Sequence, residues 1–152
     1  MAEQVSRQAA KVAARTKMSP NEAYGKKRVV VITSPAAVTW AQGDTIASPQ
    51  LLPVGTRFTC GSQASFQDMG TSITLDVGIR DKDGNAIDAD GIAASIDVAT
   101  AAGRADLNNG ALIKDGAEYV TTVPCYVYAT LNGGTPSANA QIRIEVEVVT
   151  PD

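Results

Sequence analysis

Hydrophobic and polar positions alternate along most of the chain after residue 28. Within residues 71–90, Ile73, Leu75, Val77 and Ile79 fall on one face of an extended strand, and Thr74, Asp76, Gly78 and Arg80 on the other. A period of two marks a strand with one face in a core and one nearer water. That strand runs into Asp81-Lys82-Asp83-Gly84-Asn85, a turn cluster, and an apolar stretch resumes at Ala86-Ile87. Strand, tight turn and return form the unit that the rest of the body repeats.

Residues 28–33 (RVVVIT) read as a first, β-branched strand. Residues 37–40 read as another short strand, followed by a turn at Gln42-Gly43-Asp44, with Trp40 capping one end of the core. Residues 45–53, with two prolines, read as an irregular edge segment. In residues 56–60, Phe58 and Cys60 share a face with Thr56, and residues 61–70 read as a polar loop. Residues 92–98 put Ile92, Ala94, Ile96 and Val98 on one face, and residues 100–110 are small, polar and turn-prone. Leu112-Ile113 and Tyr119-Val120 flank Lys114-Asp115-Gly116, the signature of a hairpin with a tight primed turn. In residues 125–131, Cys125, Val127, Ala129 and Leu131 face inward. Tyr126, Tyr128 and Thr130 face outward, the tyrosines as a contact surface or under cover of a second sheet. The cleanest alternation comes last: Ile142, Ile144, Val146 and Val148 inward, Arg143, Glu145 and Glu147 outward. Roughly eight or nine short strands at this spacing predict a sandwich or barrel. No long amphipathic helix pattern separates them, which argues against parallel βαβ architecture.

Charge divides the chain in a way that hydropathy does not. The 152 residues carry −3 overall, but residues 1–28 carry +5 and residues 29–152 carry −8. A basic arm thus precedes an acidic body, and residues 1–28 and 29–152 are the expected divisions. Seven bases mark the arm as a partner-binding element: Arg7, Lys11, Arg15, Lys17, Lys26, Lys27 and Arg28. Residues 3–17 are helix-compatible. Arg7, Lys11 and Arg15 recur every fourth residue as a basic stripe, beside a thin apolar stripe of Val5, Ala9 and Val12. Met18-Ser19-Pro20 is expected to end this helix, and residues 20–24 to make a second short turn closed by Gly25. The arm is either a solvated tail or a segment ordered only against a partner. An acidic protein surface suits it better than nucleic acid, because its bases lack interleaved aromatics and the acidic body repels phosphate.

Candidate chemistry is sparse. The chain has no histidine, so Ser/His and Cys/His pairs are absent, and it has no phosphate-loop or dinucleotide motif. No enzyme activity and no cofactor are expected. Asp81, Asp83, Asn85, Asp88 and Asp90 surround a glycine turn in a partial likeness to a Ca²⁺ loop. The glycine is misplaced for an EF-hand and position 92 is isoleucine, so solvated turn acids are the expectation and no metal is assigned. Cys60 and Cys125 are the only cysteines. They are expected as thiols, with a disulfide within the chain or a crosslink to a neighbour as the alternative. No apolar run is long enough to cross a bilayer and no secretion signal is read, so cytosolic synthesis without membrane partners is expected.

Two blocks carry a resemblance: VTWAQGDTIAS, PQLLPVGTRF and SITLDVGIRDKDGNAID in the centre, and LNGGTPSANAQIRIEVEV later. Over roughly residues 33–149 they resemble small structural proteins of tailed-bacteriophage particles, of the head-decoration and minor capsid type. The resemblance rests on strand and turn pattern and does not include the arm. It implies a β-sandwich; the expected fold is therefore all-β, a sandwich of jelly-roll or immunoglobulin type, preceded by the extended, partly helical N-terminal arm that the residues themselves suggest. The resemblance also implies a virion location, the major capsid protein or other virion proteins as partners, and a homo-oligomer, a trimer being favoured. A neck, collar or tail component, a carbohydrate- or cell-binding β-module, and a nucleic-acid binder using the arm are the alternatives.

Overall fold

A computed structural model describes residues 7–17, 26–99, 102–114 and 119–151. Two short helices, α1 (Arg7–Ala13) and α2 (Ala111–Lys114), accompany nine strands among these residues. The strands are β1 (Lys26–Thr33), β2 (Thr45–Ala47), β3 (Arg57–Phe58), β4 (Gln63–Phe66), β5 (Thr74–Asp81), β6 (Ala86–Asp97), β7 (Gly103–Asp106), β8 (Cys125–Asn132) and β9 (Ile142–Thr150).

They form two antiparallel sheets. One runs β1-β9-β4-β7, with the two-residue β3 also on β9, and the other runs β2-β8-β5-β6. Leaving β3 aside, the pairs nest: β1 with β9, β2 with β8, β4 with β7, β5 with β6. Such nesting is one long antiparallel hairpin rolled up on itself, and rolling is what brings β4 against β9 and β5 against β8. The result is an all-β sandwich with the strand order of a jelly roll. Of the two sandwich types expected, it is this one.

The core lies between the sheets where the sequence alternation places it. Ile73, Leu75, Val77 and Ile79 are fully buried, as are Ile144, Val146 and Val148, with Ile142 at 2% exposure. Cys125, Val127, Ala129 and Leu131 of β8 lie beside the β5 row and face the β9 row. Trp40 closes one end; its indole Nε1 donates to the Ala140 carbonyl at 3.0 Å, which satisfies its polar edge inside an apolar setting.

Several segments depart from the expected pattern, each for a local reason. Residues 37–40 form no strand, because Val38 N–H donates to Asn139 Oδ1 and the Val38 carbonyl accepts from Asn139 N–H. Residues 45–53 hold a true edge strand, β2, and a bridge from Leu52 to Cys125. The expected polar loop at 61–70 contains β4, which sits between β9 and β7 with Ala64 in the core. The turn-prone 100–110 segment contains β7. Residues 111–114 are helical instead of the first strand of a hairpin, and residues 115–118 lie outside the described set. In β6, register shifts opposite Val77 and Ile79 turn Ala93 inward, while Ala94 is half-buried. Cys60 does not share the buried face of Thr56 and Phe58; β3 ends at Phe58 and the chain turns Cys60 to solvent.

Candidate functional site

The seven bases of the arm fall into two groups. Arg7 begins α1 and Lys11 lies in its last turn. The helix stops well short of Met18: Thr16 N–H donates to the Lys11 carbonyl at 2.8 Å and Arg15 N–H to the Val12 carbonyl at 3.0 Å. With Arg15 at φ 55°, these bonds make a Schellman cap, in which glycine is the usual residue. Arg15 and Lys17 therefore lie beyond the helix, and the every-fourth-residue stripe is broken after Lys11. Val12 is 62% exposed, so the thin apolar stripe is not packed at that position. Val5 and the turn at 20–24 lie outside the described residues.

Lys26, Lys27 and Arg28 belong to the sandwich. β1 starts at Lys26 and pairs with β9 from its first residue, Lys26 opposite Thr150. These three bases are therefore strand residues of the first sheet. Lys27 Nζ lies 2.8 Å from Glu147 Oε2, and Thr59 Oγ1 donates to Glu147 Oε1 at 2.6 Å. The Lys27 and Thr59 hydrogen bonds hold the Glu147 carboxyl below its ordinary range.

Asp81 and Asn85 tie the candidate Ca²⁺ loop into a hairpin. Asp81 Oδ1 accepts from the backbone N–H groups of Asp83 and Asn85, both at 2.9 Å, and Oδ2 accepts from Asn85 Nδ2 at 3.1 Å. Asp81 N–H and the Asn85 carbonyl close the hairpin at 2.9 Å around Lys82-Asp83-Gly84, with Gly84 at φ 90°. Asp83 pairs with Lys82. Asp88 and Asp90 follow on β6, where burial raises the Asp88 carboxyl. Among the described residues no three acidic or thiol side chains gather as a metal site.

The Asn85 bonds depress the Asp81 carboxyl below 3.8. A depressed acid contributes its stabilisation above the unfolded value and loses it as pH falls through the folded one. The Asn85 side-chain amide resonance should thus stay fixed from neutral pH down to the ordinary carboxylate range and shift only in stronger acid. Asp81→Ala should release it at every pH.

Cys60 is exposed, Cys125 is buried and both are free thiols, so no bridge joins them. Burial pushes the Cys125 thiol up to about 11. A disulfide-exchange reagent should accordingly label Cys60 in the native protein and reach Cys125 only on unfolding; native labelling of both would refute this burial. Tyr128 is withdrawn from the surface at 7% exposure, with the Arg80 guanidinium 5.3 Å from its ring centre. Tyr126 remains half-buried.

One feature escaped the sequence reading. Along the side of the sandwich, β1 and residues 50–53 enclose a groove of about 600 Å³. The available sequence signal was RVVVIT, a strand apolar on both faces, which is unusual for an edge.

The strands from Lys26 onward thus form a jelly roll. No family model matches the chain, and no curated protein matches it. Two solved structures share its fold. A chain in the capsid of Ralstonia phage GP4 superposes with a TM-score of 0.64 at 20% identity, over 83% of this chain and 85% of that one. A chain in the capsid asymmetric unit of cyanophage Pam1 gives 0.55 at 20% identity, over 84% and 86%.

Proposed function

We propose that this chain is a structural protein of a tailed-bacteriophage particle, a decoration or minor capsid subunit that docks on the head as a homo-oligomer, with a trimer favoured. It is made in the host cytoplasm and carried in the virion. The observation that supports this reading is the shared fold with chains of two phage capsids, across more than four-fifths of this chain. The charge division suits the role. Residues 1–25, at +2 ahead of a −5 remainder, can grip an acidic neighbour, and their ordering entropy is lost only on docking. Many copies on one particle convert such weak contacts into firm attachment.

Jelly rolls also serve as lectins, and fold alone does not choose among functions. Quantitative mass spectrometry of purified particles tests the assignment. A copy number in the hundreds supports the head, a ring-sized handful moves the protein to the neck or tail, and absence from the particle ends the reading. Glycan-array binding by the body would favour the carbohydrate alternative.

Deleting residues 2–25 keeps β1 whole. That variant should fold normally yet occupy particles at least about tenfold less well at limiting concentration, since one arm of a multivalent contact is lost. Equal occupancy would remove the leader from the docking mechanism.

A further inference from the structure

Among the described residues, β1 is hydrogen-bonded on one side only. Ser34 N–H donates to the Ile142 carbonyl, so by antiparallel alternation the backbone groups of Arg28, Val30 and Ile32 face β9. Those of Lys27, Val29 and Val31 point out along the open edge. The side chains alternate as well: Val30 and Ile32 are in the core, while Val29 and Val31 are 50% and 39% exposed. Opposite this edge run residues 50–53, tied to the second sheet by paired bonds between Leu52 and Cys125 at 2.8 and 3.1 Å. The groove between them is therefore the open seam of the sandwich. Val29, Leu51 and Pro53 give it exposed apolar side chains, and Arg28 and Gln50 exposed polar ones, so its walls are about equally polar and apolar. Arg28, on the same strand face as Val30, is its one charged lining residue and is exposed. It has no ion-pair partner among the described residues.

We infer that this seam receives an extended acidic–apolar strand from a neighbouring protein, which adds to β1 by backbone hydrogen bonds and presents a carboxylate to Arg28. An unpaired strand edge calls for a strand, and alternate apolar side chains would fill the walls. A guanidinium favours a carboxylate through two parallel bonds. Charge decides among the occupants. The leader of another copy would bring Arg7, Lys11 and Arg15 toward Lys26 and Arg28, a like-charge encounter. A second β1 would offer Arg28 no carboxylate.

The inference does not depend on a phage particle, so it is tested in solution. Isotope-labelled full-length protein is titrated with the capped peptide acetyl-Glu-Val-Thr-Val-Glu-amide, whose two carboxylates allow either strand direction. The Val29 and Val31 amides are expected to shift and to exchange at least about tenfold more slowly when bound. Arg28→Glu should weaken binding at least about tenfold, and the same peptide with lysine for glutamate should not bind. Val29→Pro deletes an edge N–H without touching the β9 ladder and should also abolish binding; if that variant unfolds, Arg28→Glu carries the test alone. Shifts absent at millimolar peptide, shifts confined to β6 or β7, or binding indifferent to Arg28→Glu would each overturn the proposal. So would stronger binding by a peptide of residues 26–33, which would assign the edge to a second copy. Particle occupancy reads the proposed function separately, so the two can fail independently.

Discussion

Ile144→Asp is expected to abolish the folded body. Ile144 is fully buried in β9, opposite Ile32 on β1 and Ala64 on β4. Neither cross-strand partner offers a donor to a carboxylate. An unpaired charge placed there, with the isoleucine packing also lost, costs at least about 4 kcal/mol, against a typical total of about 5–15 kcal/mol. The expected result is little soluble protein, and no cooperative urea transition in what is recovered. Arg143→Asp is the control one residue away. Arg143 faces solvent and its Nε lies 2.7 Å from Glu145 Oε1 in an exposed pair, so its loss should cost no more than about 1 kcal/mol. A soluble, cooperatively folding Ile144→Asp would show that β9 presents its other face to the core.

β5, β8 and β9 were legible because each is flanked by strands on both sides and buries a full alternate row of apolar residues. Their pattern is strong within eight or nine residues of local sequence. β2, β4 and β7 were not legible as strands. β4 turns Ala64 fully inward with only Phe66 half-buried beside it, and the four residues of β7 offer only alanine as an apolar side chain, too short an apolar row to stand out from a loop. They are strands because β9, once placed, supplies β4 with a ladder and β4 supplies β7. The misread hairpin at 111–120 has a related cause. Any side-chain carbon on Gly110 would collide with the backbone of Gly91 and Ile92, so a contact across nineteen positions sets this segment's path. Local turn chemistry at Lys114-Asp115-Gly116 carries no trace of that contact.

For the candidate site, charge division was readable and placement was not. Counting residues separates a basic leader from an acidic body, but the Schellman cap at Arg15 and the start of β1 at Lys26 depend on backbone geometry and on β9. Arg28 was assigned to the arm by its charge, and its place in the seam emerges only when residues 50–53 come opposite β1. The acidic turn, expected as a hairpin with solvated acids, shows the converse limit. Composition counts carboxylates, whereas the structure spends both Asp81 oxygens on its own hairpin.

Gly78→Val is the second substitution expected to do severe damage, and it acts from outside the core. Gly78 lies on the face of β5 that bears Asp76 and Arg80, where alternation predicts solvent. It is nevertheless buried. Between Val77↔Ala93 and Ile79↔Asp88 the chain of β6 advances five residues while β5 advances two, and the surplus folds back over Gly78. A Cβ there would overlap the Asp88 carbonyl and the Ala89 backbone, so hydrogen alone fits. Backbone cannot rotate aside as a side chain can, and about 3 kcal/mol or more of destabilisation is expected in urea unfolding. Gly84→Ala makes the contrast: nothing lies within 4 Å of its added carbon, and its cost is the roughly 1–2 kcal/mol of a left-handed backbone. A second readout follows from Tyr128, which pairs with Gly78 on β8. Burial raises its phenol above 10.0, with Arg80 pulling it down and Asp88, Asp90 and Asp76 adding to the rise. If the β6 backbone is the cover, lifting it in Gly78→Val should return the Tyr128 titration toward the ordinary value. A variant with wild-type stability and an unshifted phenol would mean that β6 does not cross this face.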